Sequence, residues 1–210
     1  MHLYNSKTQF NECLICLTPL HKSISLSHLI KPFPICLSCI QKFDIIDHSI
    51  SFHHYPLRIL YKYNDFFQSL LYQYKGLYDL ALKDVFLCLY LDELKKKYKD
   101  YIIVAAPSSS TSNKLRGFAP IEKIASTIHN HIFTGLYKID DYKQSNLSYN
   151  QRKKVKKRIG IKNKELLKGK KVLILDDVIT SSSTLETCLF LVETCSPKCI
   201  ELLVLSSSYW

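Results

Sequence analysis

Residues 171–185 read Lys-Val-Leu-Ile-Leu-Asp-Asp-Val-Ile-Thr-Ser-Ser-Ser-Thr-Leu and carry the clearest structural pattern in the sequence. The apolar first half predicts a buried strand that ends in two carboxylates, Asp176 and Asp177. A helix with one apolar face is predicted from Ser183 to Cys195, and another apolar strand from Ile200 to Leu205. Strands that are buried on both faces and joined by a helix are typical of a parallel sheet, so we expect an α/β fold.

The loop after the two acids is rich in hydroxyl groups, which belong to Thr180, Ser181, Ser182, Ser183 and Thr184. The free N–H groups of a following helix bind phosphate, and the hydroxyls add donors. Paired carboxylates accept hydrogen bonds from vicinal sugar hydroxyls, directly or through Mg²⁺. This order predicts a ligand with ribose hydroxyls and a 5′-phosphate. Helix capping, including a capping box from Ser183 to Glu186, is the structural alternative, but it does not explain the paired acids.

The sequence upstream predicts further elements with less regular patterns. In chain order these are a linker with strand character (Asp44 to Tyr63), a helix from Asp65 that Gly76 interrupts, a helix from Tyr78 to Tyr98, a strand from Tyr101 to Ala106, a polar loop from Ser108 to Ser112, and a helix from Pro120 to His131.

Four cysteines near the start form two C-x2-C pairs, which are Cys13 with Cys16 and Cys36 with Cys39, nineteen residues apart. Two such pairs offer four thiolates to one ion, which suits a structural zinc with no place left for water. The alternatives are four unrelated buried cysteines, a redox C-x-x-C, or substitution by His21 or His28, which lie between the pairs. A module this small has little core of its own, so the metal would stabilise it.

The chain has 210 residues and a net charge of +11, and its composition of 47% hydrophobic and 22% charged residues is that of a globular protein. Twelve basic residues and one acid lie in segment 143–171, so this segment carries the whole excess and the rest is neutral. Six of the seven residues from Arg152 to Arg158 are basic. A solvated loop is one interpretation, and a bound polyanion that relieves the repulsion is the other.

Several protein classes are excluded by the sequence. It contains no run of 18 apolar residues, so no transmembrane segment is expected. The first residues lack the order of a secretory signal, which predicts a cytoplasmic protein. In that compartment cysteines are expected as metal ligands or buried thiols rather than as disulfides.

The stretch from Asp176 to Thr184 resembles the loop that binds phosphoribosyl pyrophosphate (PRPP) in type I phosphoribosyltransferases. The chain also resembles the ComF competence protein family along nearly its whole length. The motifs that carry this resemblance are the four cysteines, Tyr74-Lys75-Gly76, Arg116-Gly117-Phe118, the segment Gln144 to Arg152, and the PRPP loop. The resemblance implies a zinc-finger module (residues 1–43) followed by a phosphoribosyltransferase-like domain with a mainly parallel sheet (residues 44–210).

Three positions depart from the family patterns. The glycine of the PRPP loop is replaced by Ser182, where we expect a strained backbone or a less close approach to phosphate. The Asn-Gln that follows Arg-Gly-Phe is Ala119-Pro120, and the stretch from Pro107 to Ser112, where a second loop would bind pyrophosphate, has no cation before Lys114. PRPP binding, with Mg²⁺, is therefore favoured over efficient turnover.

The ComF resemblance implies a role in natural transformation, in which external DNA enters the bacterial cytosol as a single strand. The predicted nucleic-acid-binding residues are Arg116, Arg152, Lys153, Lys154, Lys156, Lys157 and Arg158. Tyr142 and Tyr149 flank the basic run and are candidates for stacking on bases, with ordinary packing as the alternative. The expected location is the cytoplasm, or the periphery of the inner membrane, with other competence or recombination proteins as further partners.

Two rival functions remain open on the sequence. One is an enzyme that transfers a phosphoribosyl group from PRPP to an unknown acceptor, with Asp176 and Asp177 as catalytic residues and Arg116 or Arg152 binding pyrophosphate. The other is a PRPP-sensing scaffold for other competence proteins that uses the zinc finger as its contact surface.

Overall fold

The computed structural model describes residues 10–20, 33–139, 159–180 and 182–209. In this part of the chain a six-stranded sheet has the order β1-β2-β8-β7-β3-β4, and only β1 runs antiparallel to its neighbour. Its strands are β1 Ile45–Phe52, β2 Tyr55–Lys62, β3 Tyr101–Ala105, β4 Ile132–Phe133, β7 Lys171–Ile179 and β8 Cys199–Ser207. A separate antiparallel pair consists of β5 Leu136–Lys138 and β6 Ile159–Ile161.

Short helices cover the sheet within the described residues. They are α1 Leu37–Ile40, α2 Asp65–Gly76, α3 Leu91–Lys97, α4 Ser110–Arg116, α5 Pro120–Ala125 and α6 Ser183–Glu193, with 3-10 turns at Leu80–Asp84 and Lys164–Leu167. None of the helices in these residues is long and apolar enough to cross a membrane.

Strand β7 lies in the middle of the sheet and is hydrogen-bonded to β3 on one side and to β8 on the other. Its residues 172–175 are completely buried, and alternate side chains enter two hydrophobic clusters on opposite faces. Helix α6 packs on one face through Leu185, Leu189 and Val192. The predicted parallel α/β arrangement of strand, helix and strand is confirmed.

The linker predicted between Asp44 and Tyr63 is a β-hairpin. His53 and His54 turn the chain between β1 and β2 with φ of 48° and 70°, a backbone suited to a tight hairpin turn. Strand β2 then pairs in parallel with β8, so the hairpin extends the main sheet.

Three of the sequence predictions upstream of β7 are wrong in extent. The helix predicted from Pro120 to His131 ends at Ala125. The helix predicted from Tyr78 to Tyr98 is a 3-10 turn followed by irregular turns, and only α3 is helical, because residues 85–88 are buried in the core, where tertiary packing outweighs helix propensity. The polar loop predicted at Ser108 to Ser112 instead enters helix α4 at Ser110.

The N-terminal cysteine region shares a hydrophobic core with the sheet. Cys13, Cys36 and Cys39 are buried in the same cluster as residues of β2 and α2. The ring of Phe43, just before β1, lies 4.9 Å from that of Tyr61 in β2, centroid to centroid. The division into modules at residue 43 stays a prediction, but the described residues on its two sides pack together.

Candidate functional site

The two carboxylates predicted from the sequence lie at the carboxyl end of β7. The sequence predicted that the strand ends at these two acids, but the strand continues to Ile179. Asp176 is 9% exposed, and its Oδ1 accepts a hydrogen bond from the N–H of Asp177 at 2.9 Å. Asp177 Oδ1 accepts one from the N–H of Val178, also at 2.9 Å. The central strand therefore fixes both acids at the edge of the sheet where ligands bind in open α/β folds.

The hydroxyl-rich loop after β7 lines the same pocket. Thr180, Ser182, Ser183 and Thr184 are all at its wall, and Ser181 lies outside the described residues. Ser182 is the residue that precedes α6, and its side chain makes no capping hydrogen bond. The predicted capping box placed the N-cap at Ser183, but Ser183 is already helical and the N-cap is Ser182.

The pocket is open to solvent and has a cavity volume of about 150 Å³. Its wall also includes Lys75 from α2, Pro107 and Ser108 after β3, and Lys138 from β5. Its charged side chains in the described part of the chain are two carboxylates and two lysines, so the empty pocket is neutral. Phosphate, ribose hydroxyls and a bound cation all find complementary groups there.

Lys75 was not predicted as a site residue. It lies in the last turn of α2, and its Nζ forms an ion pair with Asp177 Oδ2. Burial lowers the pKa of Lys75 to about 8, against the opposing attraction of Asp176. The motif Tyr74-Lys75-Gly76 was the available signal, but no sequence pattern places the end of α2 beside β7.

Arg116 lies behind Lys75 rather than on an open surface. Its Nε donates a hydrogen bond to the carbonyl oxygen of Lys75 at 2.8 Å. Its guanidinium lies 5.9 Å from the ring of Tyr78 and 5.7 Å from the ring of Phe118. Its predicted contact with nucleic acid stays a prediction.

A wider groove lies on the other side of the Lys75–Asp177 ion pair. Both residues of the pair line this groove, and so does Arg116. Its wall also includes Tyr63, which precedes α2, and Gln68 and Tyr72 of α2. The ion pair thus forms a shared wall between the phosphate-type pocket and this groove.

The predicted DNA-binding residues 152–158 lie outside the described residues, as do Tyr142 and Tyr149. The chain on either side of them is described. Lys138 in β5 pairs with Ile159 in β6, and Lys138 lines the pocket. The basic run 152–158 therefore directly precedes, in sequence, a strand that pairs with a residue of the pocket wall.

The four cysteines converge as predicted. Their Sγ atoms all lie within 4.8 Å of one another, with 3.7 Å between Cys16 and Cys36. A tetrahedral zinc with Zn–S bonds of about 2.3 Å holds its sulfurs about 3.8 Å apart, so the donor set fits such an ion. Among the described residues this is the one group of three or more potential ligands close enough to hold a metal. His21 and His28 lie outside them.

The thiols of this cluster differ in environment. A hydrogen bond with the Thr18 hydroxyl, at 3.2 Å, lowers the pKa of the exposed Cys16 to about 6. Burial raises the pKa of Cys36 and that of Cys39. A metal ion supplies the positive charge that buried thiolates need.

Comparisons with known proteins agree with this geometry. The model of the phosphoribosyl transferase domain family matches residues 114–208, which include both acids and the hydroxyl loop. Competence protein ComFC of Streptococcus pneumoniae is 28% identical over 141 residues, which are 67% of this chain and 63% of that protein. The chain is therefore similar to a ComF protein, of which it spans less than two thirds.

Solved structures of similar proteins include two phosphoribosyltransferases. A hypoxanthine-guanine phosphoribosyltransferase from Bacillus anthracis is 17% identical, with a TM-score of 0.35 over 57% of this chain and 67% of its own. A hypoxanthine phosphoribosyltransferase from Staphylococcus aureus is 12% identical, with a TM-score of 0.34 over 66% of this chain and 62% of its own. The family match and the strand order together confirm the predicted phosphoribosyltransferase-type fold of the ComF-like chain.

Ser182, which replaces the glycine of the PRPP loop, has φ of 56°. In a non-glycine residue this left-handed conformation raises the free energy of the folded state by about 1 kcal/mol. The strain expected from the sequence at this position is therefore present in the ComF-like chain.

We predict that Ser182→Gly raises the free energy of unfolding by about 1 kcal/mol, because glycine adopts a positive φ without a steric cost. Ser183→Gly is the matched control, since Ser183 already has a helical backbone and glycine there should give no stabilisation. Urea unfolding measures the free energy of unfolding of both variants. A Ser182→Gly protein less stable than the wild type would contradict the assignment of strain.

Proposed function

We propose that this ComF-like chain binds PRPP or a related phosphoribosyl ligand and handles incoming single-stranded DNA in the cytosol during natural transformation. The observation that carries the proposal is the convergence of Asp176, Asp177, the hydroxyl loop and Lys75 on one open pocket. The family match and the similarity to a competence protein support the same combination.

The order of groups in the pocket suits a phosphoribosyl ligand. Asp176 and Asp177 are placed to accept hydrogen bonds from the ribose hydroxyls or to hold Mg²⁺, which prefers carboxylate oxygens. The loop from Thr180 to Thr184 and the first turn of α6 offer hydroxyls and N–H groups to the 5′-phosphate. When bound, Mg²⁺ would neutralise pyrophosphate charge.

Titration of PRPP with Mg²⁺ by calorimetry tests the pocket. We expect the double change Asp176→Asn/Asp177→Asn to weaken PRPP binding at least tenfold, which is about 1.4 kcal/mol. Asp100→Asn is the matched control, because Asp100 is an exposed acid before β3, at the opposite edge of the sheet. Equal heats for the double variant and the wild type would remove the pocket assignment.

An active phosphoribosyltransferase is the alternative. In that reaction an acceptor nucleophile bonds to the anomeric carbon as its bond to pyrophosphate breaks. The groove beyond the Lys75–Asp177 pair favours this alternative, because it offers space for an acceptor beside the pocket. The stretch from Pro107 to Ser112 disfavours it, since that stretch contains no cation for the departing pyrophosphate. Release of pyrophosphate from PRPP with nucleobases or amines as acceptors distinguishes turnover from binding.

The DNA-handling part of the proposal depends on electrostatics. Six basic side chains in residues 152–158 neutralise phosphates and release counterions without reading sequence. The residue that follows this run in sequence, Ile159, pairs with Lys138 at the wall of the phosphoribosyl pocket.

Neutralising the six basic residues of 152–158 with glutamine should abolish most single-strand binding. If each contacts one phosphate, the slope of log K against log salt should fall by about 4. Changing exposed Lys95, Lys96 and Lys99 to glutamine is the control and should leave the slope nearly unchanged. Fluorescence anisotropy with an oligonucleotide at several salt concentrations measures both. An unchanged slope in the first variant would refute the assignment.

Zinc is the metal proposed for the four-cysteine cluster. Elemental analysis of the purified protein should find about one zinc per chain, and Cys39→Ser should lose it. The metal should also raise the melting temperature, because the cluster shares its core with β2 and α2. Cys199→Ser, outside the cluster, should retain both properties. Equal zinc content in the Cys39→Ser protein would contradict the proposed site.

A cytoplasmic location, association with the inner membrane and contacts with other competence or recombination proteins remain predictions from the sequence.

A further inference from the structure

The phosphate-type pocket needs a cation that its own loop does not supply. The loop from Thr180 to Thr184 contains only hydroxyls, and the strand before it contributes two negative charges. Lys75 and Lys138 are the basic side chains at the wall in the described part of the chain. Without Lys75 the wall would carry a net negative charge, which would repel a phosphorylated ligand.

We propose that Lys75 is a phosphate-binding residue of this pocket and that Arg116 is the residue that positions it. This inference rests on the proposed function of the pocket and assigns roles to two residues outside the loop that resembles the PRPP motif. In the empty pocket the Lys75 ammonium neutralises Asp177. When Asp177 engages ribose hydroxyls or Mg²⁺, the ammonium is free to donate to phosphate oxygens.

The geometry of Lys75 suits this exchange. Its side chain is 29% exposed and that of Asp177 is 16% exposed, so solvent and a ligand reach the pair from the pocket. The ammonium carries three donors on a flexible stem, and one of them is enough to pair with a carboxylate.

Arg116 acts through the backbone of Lys75 rather than through the ligand. The carbonyl of Lys75 belongs to the last turn of α2, where no intrahelical N–H is available for it. The Nε of Arg116 satisfies this carbonyl at 2.8 Å. Arg116 lines the groove but not the phosphate-type pocket, so it is placed to position Lys75 and not to bind the phosphate.

The guanidinium of Arg116 is itself held in place. Tyr78 and Phe118 provide aromatic faces on which it lies, and its Nη1 donates to Asn113 Oδ1 at 3.4 Å. Gly117 follows with φ of 80° and ends α4 directly after Arg116. Only glycine adopts that conformation without strain, so the Arg-Gly-Phe sequence places Arg116 at the last position of α4.

A second contact ties the same end of α2 to the rest of the domain. The hydroxyl of the buried Tyr74, next to Lys75, donates to the carbonyl of Pro120 at 2.7 Å. The end of α2 is therefore held both by α4, through Arg116, and by the first residue of α5.

The charged groups that face Lys75 are Asp176 and Asp177 on β7, Lys138 on β5 and Arg116 on α4. A neutral side chain at position 75 would leave both carboxylates facing a single lysine, Lys138, at the described wall of the pocket.

The test is PRPP affinity with Mg²⁺ at pH 7, measured by calorimetry on the full chain. Lys75→Met should bind at least tenfold more weakly than the wild type. Lys75→Arg keeps the positive charge and its donors, so it should recover most of the lost affinity.

The Arg116 variants test the positioning role. Arg116→Gln should bind three- to tenfold more weakly at pH 7. Arg116→Lys keeps a charged donor at this position, so it should recover part of the affinity. Lys114→Gln, an exposed change on the same helix, is the matched control and should leave the affinity unchanged.

The outcomes distinguish this inference from the function on which it rests. If the wild type binds PRPP and the Asp176→Asn/Asp177→Asn protein does not, but Lys75→Met binds within twofold of the wild type, the role of Lys75 is refuted and the pocket stands. Arg116→Gln behaving like Lys114→Gln refutes the positioning role. Absence of PRPP binding by the wild type overturns both the pocket and this inference.

Discussion

The ion pair between Lys75 and Asp177 joins the two halves of the site. Asp177 belongs to the part of the chain that matches the phosphoribosyl transferase domain, and Lys75 lies before that match begins. One partner is fixed by the central strand of the sheet and the other by the end of α2, so the pocket exists only where helix and strand meet. Anchoring by Arg116 and by Tyr74 at the helix end therefore bears directly on the chemistry of the carboxylates.

Local sequence was sufficient to predict the order of strand, loop and helix from residue 171 to the end of α6, although the strand extends further than predicted, to Ile179. A short apolar run flanked by charge favours a strand buried on both faces, and a following apolar stripe at helical spacing covers it. The four cysteines were equally predictable, because paired spacing already brings two sulfurs to one turn. In both cases neighbours in sequence are neighbours in space.

The rest of the site depends on contacts between distant residues, which no local pattern encodes. Lys75 and Asp177 are separated by a hundred residues, and Arg116 reaches the Lys75 carbonyl only because α4 and α2 pack side by side. The helix prediction was wrong between Leu80 and Tyr90 for a related reason. Its apolar residues fill the core between α2 and α5, and tertiary packing there outweighs helix propensity.

The neutral balance of the pocket also explains how a phosphate site and a basic run coexist in one chain. A pocket with strong positive charge would attract the DNA backbone directly. Here two carboxylates offset two lysines. Under the proposed function, a polyanion would therefore be attracted mainly by residues 152–158, while the pocket would select a ligand with ribose hydroxyls or Mg²⁺ as well as phosphate.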